Sequence, residues 1–224
     1  MRKLLYIGTA IIFSTLPVMA QISSPNGAVH NQPPAATSLK FTDPANVPAD
    51  LARIDQALNN TLSFSGRFAQ YGADGSFAQG AIYLKRPGRL RFEYDAPATL
   101  LIVSDGTTLT EHDKALQTMD RVPLASTPLN FFLKENVRLE RDTEIIGLIK
   151  TPTDISVTAR DGSGKMEGEI TMVFDPQTLR LKEWLIRSSF GGGTRVVLSD
   201  LRYNERINPR LFVLRDERRD RRRE

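Results

Sequence analysis

Apolar and polar residues change period along this chain, and the changes mark out its elements. Over 49–62, Leu51, Ile54, Leu58 and Leu62 recur at spacings of three, four and four, the single stripe of an amphipathic helix. Beyond it the period falls to two, as in a strand whose successive side chains point to opposite faces. Phe64, Gly66, Phe68 and Gln70 alternate with Ser65, Arg67 and Ala69. Ile82, Leu84 and Arg86 share one face of a strand over 77–86; Leu90, Phe92 and Tyr94 share one face of 89–94, opposite Arg89, Arg91 and Glu93. Short strands are predicted over 100–104, 107–112, 116–121, 137–142, 145–148, 154–160, 167–174, 179–189 and 194–203. Turn-forming residues such as Asp105-Gly106, Asp175-Pro176 and Gly191-Gly192-Gly193 separate them. A helical spacing returns once, after Thr127 and Pro128, where Leu129, Phe132 and Leu133 fall on one face. The pattern predicts a mainly β (α+β) fold of about ten or eleven antiparallel strands, an unclosed barrel or curved sheet with two short apolar helices at its open side.

Arg86 breaks this pattern. It closes the aliphatic row of Ile82 and Leu84 just before the turn Arg86-Pro87-Gly88, so a permanent charge ends what should be a dry face. Two outcomes are open: the side chain snorkels to solvent at the strand end, or it latches whatever covers the face.

The flanks add localisation. Met1-Arg2-Lys3, an apolar run over 4–16 and Pro17-Val18-Met19-Ala20 have the form of a secretory signal peptide, 1–20, cleaved after Ala20. The segment 21–48, rich in Pro, Ala, Ser, Asn and Thr, is expected to be a disordered leader containing His30, and 215–224 an Arg-rich charged tail. With no cysteine, an exported chain forgoes disulfides, thiolate metal sites and a lipid-modified N-terminal cysteine. The net charge of +4 resides in the two ends, because Arg2 and Lys3 contribute two charges and the tail another two. The body over 21–214 is formally neutral, which argues against nucleic acid as a partner.

Catalytic candidates are few. His112 is the sole histidine beyond the leader, and in a strand it points away from Glu111 and Asp113, so a surface role is expected rather than a base or metal ligand. The glycine run 191–193 precedes Thr194 and Arg195 rather than a phosphate-binding helix, and Ser104 lacks a nucleophile-elbow context. No enzyme, metal or cofactor is expected.

The run Ser63 to Gln70, Gln79-Gly80, Lys85 to Tyr94, Pro97 and Ile102-Val103-Ser104-Asp105-Gly106 resembles the LolA periplasmic lipoprotein carriers. Asp113, Thr127-Pro128-Leu129, Asp200 to Asn204 and Leu211-Phe212-Val213 extend the resemblance over about 50–214. It implies an unclosed β-barrel with a helical lid over a hydrophobic cavity, in a domain spanning 49–214. It further implies a monomer in the periplasm that takes outer-membrane lipoproteins by their acyl chains from an inner-membrane ABC transporter and delivers them to an outer-membrane acceptor. The family's lid-latching arginine falls on Arg86. Cavity positions are expected at Phe64, Phe68, Ile82, Leu84, Leu90, Phe92 and Tyr94, and lid positions at Leu51, Ile54, Leu58, Leu129, Phe132 and Leu133. Leu90 and Thr110 stand where relatives often carry aromatics, and His112 where tyrosine is common. An alternative is a module of the same architecture that binds free lipids or glycolipids or senses envelope proteins.

Overall fold

The structure, a computed structural model, describes residues 40–163, 166, 168–188 and 191–214. The signal peptide, the leader up to residue 39 with His30, and the tail from 215 lie outside the described residues. The elements in chain order are β1 (Lys40–Phe41), α1 (Val47–Asn60), β2 (Ser63–Gly72), β3 (Phe77–Lys85), β4 (Arg89–Tyr94), β5 (Leu100–Asp105), β6 (Thr108–Asp113) and β7 (Thr118–Pro123). The short helices α2 (Asn130–Leu133) and α3 (Leu139–Asp142) lead to β8 (Glu144–Lys150), β9 (Ile155–Arg160), β10 (Glu169–Phe174), β11 (Leu181–Arg187) and β12 (Gly193–Tyr203).

All twelve strands form one sheet in the order β1-β8-β9-β10-β11-β12-β2-β3-β4-β5-β6-β7. Two antiparallel meanders, β2 to β7 and β8 to β12, join where β12 pairs with β2; β1 adds in parallel beside β8. The last strand, β7, does not pair with β8 or β1, so the barrel is unclosed. The 20-residue connection from β7 to β8 carries α2 and α3, and α1 precedes β2, so the three helices come from the two places where the chain leaves the sheet. The seam between β2 and β12 bends at a bulge, with Asp200 at φ 54° and the register shifting between Ser199 and Arg202. Gly66 faces this bend; a Cβ there would lie 2.7 Å from both the Ser199 carbonyl oxygen and Leu201 Cδ2, so the approach requires glycine.

The inner face of the sheet is apolar in the predicted alternation. Phe64, Phe68, Ile82, Leu84, Leu90, Phe92 and Tyr94 are buried, joined from the second meander by Val157, Ile170, Met172, Phe174 and Trp184. Aromatic rings run through the interior: edge to face, Phe68 meets Phe92 at 4.8 Å and Tyr94 at 5.0 Å and Phe92 meets Trp184 at 6.1 Å, and Trp184 meets Phe132 of α2 at 5.4 Å with the rings tilted.

Four local expectations need correction. Structure begins earlier than Ala49, because β1, a 3-10 turn at Pro44–Asn46 and the start of α1 at Val47 fall within the segment assigned to the leader. Pro48 occupies the first turn of α1, where its missing N–H costs nothing. Leu62 does not extend the helical stripe: α1 ends at Asn60, and Leu62 is 64% exposed, its backbone N–H donated to Asn204 Oδ1 at 2.8 Å. The strand predicted over 137–142 is instead the single turn α3, because the Leu139 N–H is taken by the Asp55 carboxylate of α1 rather than by a neighbouring strand. Thr127 does not cap α2; its hydroxyl donates to the Leu124 carbonyl at 2.8 Å, and the helix starts at Asn130.

Candidate functional site

The turn between β3 and β4 positions the candidate latch. Gly88 sits at φ 67° against the following turn, and a Cβ there would lie 2.6 Å from the Gly106 carbonyl oxygen. Ser104, fully buried, donates its hydroxyl to the Gly88 carbonyl at 2.7 Å. The Arg-Pro-Gly and Val-Ser-Asp-Gly segments are thus two turns clasped together. From this clasp the Gly88 N–H donates to the Leu133 carbonyl at 2.8 Å, and Arg86 Nη1 donates to the Lys134 carbonyl at 2.9 Å. Both acceptors belong to the C-terminal end of α2, where carbonyls have no partner inside the helix. Arg86 therefore contacts the backbone at the end of α2. Its Nε is buried without an acceptor, and burial pushes the guanidinium down to about 10, still charged at neutral pH.

The covering layer consists of α1 and the segment from Leu124 to Asp142. Leu51, Ile54 and Leu58 of α1, and Leu129, Phe131, Phe132 and Leu133 around α2, are all buried against the sheet interior. Phe131 was not among the predicted lid positions. The two parts of the layer are tied by side chains of α1. Asn59 Nδ2 donates to the Val137 carbonyl at 3.0 Å while the Val137 N–H donates to Asn59 Oδ1 at 2.8 Å. The Leu139 N–H donates to Asp55 at 3.1 Å. Burial, together with the like charges of Asp142 and Glu140, holds the Asp55 carboxyl above its ordinary range despite that hydrogen bond. At the other end of α1, Asp50 is buried and bonded to Lys150 of β8 at 2.5 Å.

Beneath this layer, beside Arg86, little space is left. The enclosed space among Leu58, Phe64, Leu84, Phe132, Leu181 and Arg86 is about 10 Å³, the scale of a single water. The predicted wall and lid residues pack on each other, because an unfilled apolar void forfeits dispersion contacts on its lining. One polar pair lies in the interior: the Tyr94 hydroxyl donates to Gln70 Oε1 at 2.7 Å, and burial raises the phenol's pKa. Trp184, which links the wall to Phe132, stands in a strand whose alternation is irregular in sequence.

A second and larger hollow, about 340 Å³, lies beside the crevice and shares Thr61, Leu179 and Tyr203 with it. It is lined by Arg53 and Asn60 of α1, Arg180 before β11, and Tyr203 and Asn204 at the end of β12. His112 is half-buried on β6 opposite Leu101 and Met119, and no cluster of three or more His, Asp or Glu side chains suited to a metal occurs among the described residues. Glu111 on the same strand has its carboxyl raised by burial and by Asp120 and Asp113.

Residues 59–215 match the family model described as outer membrane lipoprotein carrier protein LolA. An outer-membrane lipoprotein carrier protein of Nitrosomonas europaea is 29% identical over 164 residues, which cover 69% of this chain and 79% of that protein. The protein of the same name from Chromobacterium violaceum is 33% identical over 144 residues, 61% of this chain and 67% of its own length. Among solved structures, a LolA superfamily protein from Nitrosomonas europaea aligns with a TM-score of 0.45 at 11% identity, covering 73% of this chain and 97% of that one.

Proposed function

From the premise that this chain belongs to the LolA family, we propose that it is a periplasmic carrier that shields the acyl chains of outer-membrane lipoproteins in transit between two membranes. It accepts them from an inner-membrane ABC transporter and yields them to an outer-membrane acceptor. The observation that supports this most is the clasped turn holding the end of α2 over an apolar interior with about 10 Å³ of room. Such an interior takes an acyl chain only if the lid lifts, so opening and loading are one event.

The energetics set what the lid must do. Each methylene moved from water to an apolar setting gains about 0.8 kcal/mol, so a lipid-modified protein does not leave a membrane unaided. The carrier has to offer comparable surroundings without exceeding those of the acceptor, or release stalls. A lid held by a few hydrogen bonds, each worth about 1 kcal/mol net and somewhat more where charged, supplies that balance. Phe64, Phe68, Ile82, Leu84, Leu90, Phe92 and Tyr94 form the wall that receives the chains, Leu51, Ile54, Leu58, Leu129, Phe132 and Leu133 the cover, and Arg86 the latch.

A transfer assay from inner-membrane vesicles loaded with labelled lipoprotein tests this. Leu84→Glu should abolish uptake, whereas Arg86→Leu should leave a folded protein that takes up cargo and fails to hand it on. Normal uptake by the first variant removes the cavity from the mechanism, and normal delivery by the second removes the latch.

A further inference from the structure

The hollow beside the closed crevice is built differently from the interior. Its lining includes two guanidinium groups, Arg53 and Arg180, with Gln56, Asn60, Thr61 and Asn204, and no carboxylate. Neither arginine is closely paired with a carboxylate. Arg53 is 58% exposed, and its contact with Asp50 is long, 3.7 Å, because Asp50 is bonded closely to Lys150. Arg180 has no ion pair among the described residues, and its guanidinium carbon lies over the ring of Tyr203, 4.5 Å from the centroid. The rim is held in shape by Asn204, in the left-handed region at φ 55°. Its Oδ1 accepts from the N–H groups of Leu62 and Ser63, and its Nδ2 donates to the Asn60 carbonyl. The floor adjoins the apolar crevice, since Thr61, Leu179 and Tyr203 line both. A cationic, hydrogen-bonding hollow that adjoins an apolar crevice matches a molecule with an anionic head and apolar chains.

We propose that this hollow binds the phosphate of a diacyl phospholipid head, so that the protein takes up anionic phospholipid as well as acylated protein. This rests on the interior being an acyl-chain site, because the hollow supplies only the polar end. Guanidinium groups suit phosphate oxygens through paired N–H donors, and the stacked ring keeps Arg180 aimed without neutralising it.

The test uses the full chain with dodecylmaltoside micelles carrying either labelled phosphatidylglycerol or labelled diacylglycerol with the same acyl chains, and measures lipid retained after the protein is separated from the micelles. The wild type should retain both. The double variant Arg53→Gln/Arg180→Gln should retain roughly one tenth as much phosphatidylglycerol and an unchanged amount of diacylglycerol. Both arginines stand at the surface, and an unaltered melting curve shows that the variant is folded. Equal phosphatidylglycerol retention by variant and wild type overturns the proposal, as does retention of diacylglycerol alone by the wild type. Inorganic phosphate that binds with the same dependence on arginine, while phosphatidylglycerol does not, also overturns it, as a site for the free anion. If the wild type retains neither lipid, it is the acyl-chain interior that fails.

Discussion

The wall and the lid enclose the same apolar space but are held in unlike ways. The wall from β2 to β4 is fixed by continuous ladders, such as the pairing of Ser63 to Tyr71 with Lys85 to Phe77, and by the edge-to-face rings of Phe68, Phe92 and Tyr94. The lid has no ladder. Beyond its apolar contacts it is held to the sheet by separate polar contacts, Arg86 to Lys134, Gly88 to Leu133, Leu124 to Thr107 and Lys150 to Asp50, and within itself by the reciprocal pair of Asn59 and Val137 and by Leu139 to Asp55. A ladder fails cooperatively, as a whole, whereas isolated bonds release one at a time. The same molecule therefore pairs a laddered part with a part held by separate contacts.

The sharpest way to break this contrast is at Trp184, where the two parts meet. Trp184→Ala should cost about 3–5 kcal/mol in chemical denaturation, because it leaves a cavity between Phe92 and Phe132. A loss below about 1 kcal/mol would mean that the wall does not depend on this ring. The next largest effect is expected at Asn59→Ala, which orphans both the N–H and the carbonyl of Val137 for a cost of about 1–3 kcal/mol. That loss should be local. Amide exchange should speed up around Val137 and Leu139 while amides of β2 and β3 keep their protection; uniform acceleration would erase the distinction between wall and lid.

The smallest effect is the pH dependence of the lid. The Asp55 carboxyl is raised above its ordinary 3.8 by burial and by Asp142 and Glu140, so the folded, closed state binds its proton more tightly than the unfolded chain. The stability linked to that proton is complete below about 3.8 and is lost as pH rises through the raised value. Asp55→Asn keeps an acceptor for the Leu139 N–H and removes the repulsion. It should slow exchange at Leu139 at neutral pH by an amount worth less than about 1 kcal/mol and flatten the pH dependence there. Faster exchange in this variant would show that the charge itself strengthens the bond.

The inward positions of the strands were legible in the sequence and the contacts of the helical layer only in part, for one physical reason. Strand alternation is local, so the inward positions of β3 and β4 follow from their period of two, and the stripe of Leu51, Ile54 and Leu58 follows from a period near 3.6. The charge of Arg86 at the end of an apolar row was visible as well. Its acceptor, the Lys134 carbonyl, was not, because nothing local connects two sites 48 residues apart. Residues 137–142 have the apolar spacing of a strand, and the turn they form depends on a carboxylate 84 residues earlier. Trp184 was hidden by the irregular alternation around it. Arg53, Arg180 and Tyr203 come together from three distant segments, each unremarkable alone.

An unclosed sheet also has an exposure problem that a closed barrel avoids. Its two outermost strands present unsatisfied backbone groups to any passing strand, including those of another copy, and such edges seed fibrous stacking. Here β1 lies along one side of β8, with Phe41 paired to Leu148 and the Thr42 hydroxyl accepting from the Lys150 N–H. The other edge, β7, carries Asp120 and Arg121 and ends at Pro123, which has no N–H to offer. The open side of the sheet is thereby kept from offering two bare edges, and loss of the few residues around β1 would uncover the edge of β8 as a template for another strand.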